Sequence, residues 1–333
     1  MKKIVTFGEI MLRISPEDGY RFFGTDRAKL CFGGSEANVA ALCSQLGVSS
    51  SFVTRVPANP LGEAAKRSLS AVGTDVSSVV YGGDRLGVYY YEKGAGIRPA
   101  QCVYDRKGSS FACSSYEDYD VDGMFSYADH FHLSGITPAL SDKMPDICER
   151  LCREAKTRGL TVSYDLNHRT KLWTAEENRA VTERLLPFVD LFISNMYQAN
   201  EVLKLGVDTS SEERACIAVC REIMKRYGTK TVALTVRKTF SADKNGFFGM
   251  IYDGENAWFS RKYETGIIDR VGSGDAFDGA LISCILKGYD LKTAVEYGAA
   301  AAALKHSIEG DVAYLTEEEI KSAANGGDGR VSR

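Results

Sequence analysis

Towards its C-terminal end the chain runs Asp269-Arg270-Val271-Gly272-Ser273-Gly274-Asp275-Ala276-Phe277-Asp278-Gly279, gathering small residues, free backbone N–H groups and a carboxylate at one point. Ala276, Phe277, Ala280, Leu281, Cys284 and Ile285 recur at helical spacing, which predicts a helix starting just after the glycines. The unpaired N–H groups and positive dipole end of such a helix favour an anion such as a phosphate, with Asp275 beside it. That is the outline of a phosphoryl-transfer site. The same residues also suit an ordinary helix start, with Asp275 as N-cap and Asp278 in the first turn. Two other nucleotide signatures fail on spacing. A dinucleotide fingerprint needs glycine where Phe277 stands, and no Gly-x-x-x-x-Gly-Lys-Ser/Thr run occurs.

A second glycine-rich helix start favours the chemical reading. Leu30-Cys31-Phe32 reads as a short strand, followed by Gly33-Gly34-Ser35-Glu36-Ala37-Asn38-Val39-Ala40. Ser35 is expected to cap the helix, Val39, Leu42, Cys43 and Leu46 form its apolar stripe, and Gly47 ends it. Asn38 gains nothing from helix propensity. Either it faces solvent, or its amide reads a ligand hydroxyl where the glycines admit a close approach.

Together the two segments resemble the signatures of the ribokinase/PfkB sugar-kinase family, whose Gly-Gly-x-x-x-Asn segment binds sugar and whose Gly-x-Gly-Asp segment carries the catalytic base. The likeness covers roughly residues 1 to 320 and is greatest to the family's 2-keto-3-deoxygluconate kinases. It is carried by Gly8-Glu9-Ile10-Met11-Leu12-Arg13, by residues 82–87, by Tyr104-Asp105-Arg106-Lys107-Gly108-Ser109-Ser110, by Asp269-Arg270-Val271 and by residues 303–311.

The resemblance implies that Asp275 is the general base and that the N–H groups of Gly272, Ser273 and Gly274 form an anion hole. It implies sugar binding at Gly34 and Asn38, with Tyr89, Tyr104, Arg106 and Arg169 contacting a sugar acid. An arginine meets a carboxylate through two parallel hydrogen bonds, and Arg169, in Asp165-Leu166-Asn167-His168-Arg169, follows a strand's C-terminal end, where open α/β sheets place ligands. ATP binding is implied at Asn167, Asn195, Thr235, Arg237, Gly272, Gly274 and Ser307, with Thr235-Val236-Arg237-Lys238 expected to end a strand. The implied cofactors are ATP and Mg²⁺, and some relatives also require K⁺. No metal ligand is assigned. Many members carry Asn-x-x-Glu near the metal, whereas this chain has Asn195-Met196-Tyr197-Gln198, with Glu201 one turn further on.

Most of the sequence alternates short apolar strands with amphipathic helices, as at 51–56 then 61–71, 160–164 then 177–186, and 231–236. This predicts a parallel sheet covered by helices on both faces. Residues of about 10–32 and 86–111 lack helical periodicity and read as a small antiparallel sheet inserted into the main unit. Phosphoryl transfer must exclude water, so a lid is the natural role for that sheet. The expected fold is therefore a ribokinase-like three-layer α/β/α sandwich with an antiparallel β lid, one domain over 1–324 and a frayed tail over 325–333. In several family members the lid also forms the dimer contact, so the resemblance implies a homo-oligomer.

The 333 residues, 44% hydrophobic, are ample for a large core, and the formal charge of -3 is nearly balanced. No basic cluster interleaved with aromatics points to nucleic acid, and no apolar run approaches membrane-spanning length. Nine cysteines and no secretory leader lead us to expect reduced thiols in the cytoplasm. Cys148 with Cys152, Cys216 with Cys220, and His130 with His132 share faces, and each pair is read as core packing rather than metal ligation.

The expected reaction is ATP-dependent phosphorylation of the terminal hydroxyl of 2-keto-3-deoxygluconate. Its rivals are fructokinase, ribokinase or keto-deoxygalactonate kinase activity, or a catalytically silent sugar-acid-binding protein. A neutral sugar would leave Arg106 and Arg169 without a charged partner in a closed site.

Overall fold

The computed structural model describes residues 2–327. In chain order its strands are β1 (Lys3–Phe7), β2 (Met11–Pro16), β3 (Ala28–Gly33), β4 (Ser49–Val56), β5 (Val79–Tyr81), β6 (Gly87–Glu92), β7 (Gln101–Asp105), β8 (His130–Ser134), β9 (Thr161–Asp165), β10 (Leu191–Asn195), β11 (Thr231–Ser241), β12 (Lys244–Tyr252), β13 (Ala257–Phe259) and β14 (Tyr263–Gly266). Its helices are α1 (Ser35–Gln45), α2 (Pro60–Ser70), α3 (Val121–Phe125), α4 (Met144–Thr157), α5 (Ala175–Leu185), α6 (Met196–Val202), α7 (Glu212–Tyr227), α8 (Ser273–Lys287), α9 (Leu291–Lys305) and α10 (Glu317–Ala324).

Apolar side chains on both faces of the central strands require a cover on each side, and two helical layers provide it. Val5, Phe7 and Phe192 join the core beneath α4, α6 and α7. Ile4, Leu191 and Ile193, their neighbours along the same strands, join the core beneath α1, α8 and α9. The large sheet runs β13-β12-β11-β10-β9-β8-β1-β4-β5, with β14 also on β12. Its pairs from β11 through to β5 are parallel. The edge from β11 to β13 is antiparallel. The expected three-layer sandwich is present.

The two helix-poor segments form a separate four-stranded sheet, β3-β2-β6-β7. Its outer pairs are antiparallel, as expected, and its central pair β2–β6 is parallel, because the crossover from β2 to β6 passes through α1, β4 and α2. Strand alternation gives this sheet two distinct faces. Cys31, Arg13, Tyr89 and Tyr104 line up across one, and Leu30, Ile14, Tyr90 and Val103 across the other.

Several local expectations are corrected. Strand β11 does not end at Lys238 but continues to Ser241, since its second half pairs with β12 in a hairpin. Helix α1 is capped by the Gly34 backbone, and Ser35 is its first residue. Of the tail expected at 325–333, residues 325–327 turn back on α10, where Gly327 N–H donates to Ser322 O at 2.9 Å. The rest lies outside the described residues.

The cysteine and histidine pairs are core, as read. Cys148, Cys152, Cys216 and Cys220 are free and buried. His130 bonds the hydroxyls of Thr161 and Ser163, and His132 also meets Ser163. Burial pushes His130 down to about 4.

Candidate active site

Helix α8 begins at Ser273, two residues earlier than a start just after the glycines, so Gly274 lies in its first turn, and its entry is fixed by glycine. Gly272 is the N-cap at φ +82°, and a Cβ there would lie 2.1 Å from the Asp311 carbonyl oxygen. Only glycine tolerates both the left-handed backbone and the contact. Gly34 meets the same steric limit on the other side of the cleft, where a Cβ would fall 1.9 Å from Glu9 O. At the start of α8 Ser273 N–H makes a long turn bond to Arg270 O at 3.4 Å, Gly274 N–H has no acceptor among the described residues, and the space beside Gly274 is open.

Asp275 is not the cap of α8. It is the third residue of the helix, buried, and its carboxylate is gripped by α1: Ser35 Oγ donates to Oδ1 at 2.8 Å and Asn38 Nδ2 to Oδ2 at 2.6 Å. Asn38 therefore neither faces solvent nor waits only for a ligand. Asn167 Nδ2 extends the chain by donating to Ser35 Oγ at 3.2 Å. Burial raises the Asp275 carboxyl above its ordinary value, against the opposing pull of Asn38, Ser35 and the charge of Arg169. One turn on, Asp278 is buried against Asp165, which ends β9. Burial, then the Asp275 charge, pushes Asp165 up to about 7.

A cleft of about 550 Å³ opens between the two sheets above these residues. It brings together every site residue expected from sequence except one: Gly34, Asn38, Tyr89, Tyr104, Arg106, Asn167, Arg169, Asn195, Thr235, Arg237 and Gly272 to Asp275 all line it. Ser307 is not on its wall. That residue is exposed past the end of α9, and its hydroxyl donates to Leu304 O at 2.7 Å.

The arginines fall into two groups. Arg106 is buried and already paired, its Nε donating to Glu9 Oε2 at 2.7 Å and its guanidinium stacked 5.7 Å from the Tyr104 ring centroid. The expectation that a neutral sugar would strand Arg106 is therefore corrected: Glu9 answers its charge. Arg13 of β2 is likewise answered, by Asp269 at 2.7 Å and Asp311 at 3.1 Å, all three buried, and Tyr89 donates its hydroxyl to Asp311. This network ties the lid to the loops on either side of Gly272. By contrast, among the described residues Arg169, Arg237 and Arg270 line the cleft without any ion pair.

Sequence reasoning missed Glu9, Asp165, Asp278 and Asp311 as cleft residues, and gave Arg270 no role. All but Asp165 lie in segments quoted for the resemblance, and Asp165 lies in the run quoted for Arg169, but none has a spacing that signals its contacts.

The cleft suits a nucleotide's phosphates, having open backbone donors at α8 and unpaired cations. For a divalent metal, no group of three or more acidic, histidine or cysteine side chains is poised among the described residues. Gln198 lines the cleft and donates to His168 O at 3.2 Å, while Glu201 is exposed and off the wall. Such a site fits Mg²⁺ carried in by phosphates rather than caged by protein.

This is the architecture of a sugar kinase. A model of the pfkB family carbohydrate kinases matches residues 1–316, and the chain belongs to that family, whose members use ATP with Mg²⁺. It is 33% identical over 331 residues to a 2-dehydro-3-deoxygalactonokinase of Haloferax volcanii, covering 99% of each chain. It is 29% identical to a 2-dehydro-3-deoxygluconokinase of Bacillus subtilis, covering 96% of this chain and 94% of the other. The crystal structure of 2-dehydro-3-deoxygluconokinase from Thermotoga maritima superposes with a TM-score of 0.95 at 42% identity, covering 98% of this chain and 100% of that one.

Proposed function

We propose that the chain transfers the γ-phosphoryl group of ATP to the terminal hydroxyl of 2-keto-3-deoxygluconate, giving 2-keto-3-deoxy-6-phosphogluconate. The observation that carries this reading is an unpaired arginine, Arg169, in the same cleft as the buried Asp275. A keto-deoxy sugar acid brings the one carboxylate that Arg169 lacks. The enzymes named above from Bacillus subtilis and Thermotoga maritima support the gluconate form. The Haloferax volcanii enzyme supports a second reading, the galactonate epimer, which differs in the orientation of one hydroxyl.

In this mechanism Ser35 and Asn38 hold Asp275 so that it faces the sugar hydroxyl and takes its proton as the oxygen attacks phosphorus. The new O–P bond forms as the bond to the β-phosphate oxygen breaks, and ADP leaves. The N–H groups of Gly272, Ser273 and Gly274 meet the negative charge on the transferred group. Arg169 and Tyr104 orient the acid, and Gly34 lets it approach α1. Asn167, Asn195, Thr235 and Arg237 face the nucleotide side. Mg²⁺ bound with the phosphates supplies charge neutralisation there.

Residues 1–324 act as one catalytic domain whose small sheet closes over the acid. The row of Leu30, Ile14, Tyr90 and Val103 faces away from the cleft, with Leu30 and Val103 63% and 62% exposed, and fits a homodimer contact. Nine unpaired cysteines suit the cytoplasm, and no helix among the described residues is long and apolar enough to cross a membrane. Phosphorus NMR of the product tests the reaction. A phosphomonoester on the terminal carbon is expected, and phosphate at any other position would overturn the assignment.

A further inference from the structure

Arg270 stands out once the cleft's charges are matched. It is half-buried, and Nη2 donates to Ala242 O at 3.1 Å, in the turn between β11 and β12. That bond anchors the guanidinium beside the strand carrying Arg237 and leaves its other donors free. Arg237 is exposed to solvent along one side of the cleft; partial desolvation there, then the like charges of Arg270 and Arg169, shift it below its usual range. Like charges that share a cleft repel, and a polyanion entering between them relieves that repulsion.

The element that holds each cation separates the ligands: Arg169 follows β9, whereas Arg237 lies on β11 and Arg270 is bonded to the β11–β12 turn. The charge of Arg169 acts on Asp275, Tyr104 and Cys102, at the lid side of the cleft. Those of Arg237 and Arg270 both act on His306, at the end of α9, and Arg270 also acts on Tyr91 of β6. Arg270 also immediately precedes Val271 and Gly272, the turn that aims the open N–H groups of α8 into the cleft. A monocarboxylate supplies one negative charge and cannot answer three arginines; a sugar acid together with a triphosphate can.

We propose that Arg270 and Arg237 form a two-arginine clamp on the nucleotide's phosphate chain, in which Arg270 contacts the phosphoryl group being transferred. The proposal rests on the kinase reading and adds a catalytic residue to it. As the bond from the γ-phosphorus to the bridging oxygen breaks, that oxygen leaves with the electron pair on ADP, and a planar guanidinium held at Ala242 meets the equatorial oxygens of the transferring phosphoryl group without reorganising. The loop bond to Ala242 serves to aim the side chain.

The test uses full-length Arg270→Ala and Arg270→Lys proteins. Turnover with ATP and 2-keto-3-deoxygluconate should fall about 100-fold or more in Arg270→Ala, within the range for a cation on a transferring phosphoryl group. Calorimetry with inorganic tripolyphosphate should show binding weakened about 10-fold, while binding of the sugar acid without nucleotide changes less than about 2-fold. Arg270→Lys should recover tripolyphosphate binding more fully than turnover, because it restores charge but not the planar fork. Loss of sugar-acid binding with tripolyphosphate binding unchanged would overturn the clamp and assign Arg270 to the carboxylate. A lowered melting temperature with both ligands weakened alike would reduce it to a prop for the β11–β12 turn. A wild-type protein that binds tripolyphosphate through Arg270 yet phosphorylates neither epimer would leave the clamp standing and reject the substrate reading.

Discussion

The arginines of the lid sheet and those that reach the cleft from the large sheet and the α8 entry share a residue type but not their partners. Arg13 and Arg106 are buried with carboxylates of the protein itself, whereas Arg169, Arg237 and Arg270 point into the cleft with none. A cation answered internally holds the fold, and a cation left unanswered in a cleft is available to a ligand. Sequence motifs treat the two kinds alike. Only the contacts separate them, and on the proposed function that separation assigns the sugar acid to Arg169 rather than Arg106.

The largest expected effect lies where both regions meet, at Asp275, held by α1 and facing the cleft. Asp275→Asn keeps the shape but cannot accept a proton, so turnover should fall by about 10²–10⁴-fold with nucleotide affinity nearly intact. Near-normal turnover would make Asp275 a structural residue.

Arg106→Ala should strip Glu9 of its partner and destabilise the fold by about 3–5 kcal/mol, visible in urea unfolding. Adding Glu9→Gln should recover much of that loss. If Arg106→Ala instead leaves stability untouched and abolishes only sugar-acid use, the division between answered and unanswered arginines fails.

Arg169→Ala should show the reverse pattern. We expect kcat/KM for the keto-deoxy acid to drop by about 2–5 kcal/mol in apparent specificity while unfolding stability stays within about 0.5 kcal/mol. The pH profile sharpens this. Asp275 must be ionised to act as base, burial raises its pKa, and the Arg169 charge opposes that rise. The acid limb of kcat/KM should therefore move to higher pH in Arg169→Ala; an unmoved limb would separate Arg169 from the base.

The smallest effect is on dynamics. Saturating sugar acid should slow backbone hydrogen exchange over about 86–111 more than in α8, as closure shields open strand edges. Unchanged exchange in an active protein would assign those strands to assembly alone.

Much of this was legible in the sequence because helix starts, glycine turns and strand alternation are local signals. The existence of α8, the helix-poor lid and the core role of the cysteine pairs all follow from residues within a turn or two of each other. What was illegible depends on partners far apart in the chain. Asn38 meets Asp275 across 237 residues, and Arg13 meets Asp311 across 298. The parallel β2–β6 pair likewise depends on a crossover through the main sheet. No periodicity records such encounters, and so Glu9, the partner that removes Arg106 from the pool of free cations, could not be anticipated.

The central claim, that an unanswered arginine and a buried base select a sugar acid for phosphorylation, is tested most directly by ADP release from the purified enzyme. The panel is 2-keto-3-deoxygluconate, its galactonate epimer, fructose and ribose, each with wild type and Arg169→Ala. The keto-deoxy acids should exceed both neutral sugars in kcat/KM, and Arg169→Ala should erase most of that advantage. A neutral sugar used as well as the acids, or a preference that survives the loss of Arg169, would contradict the central claim.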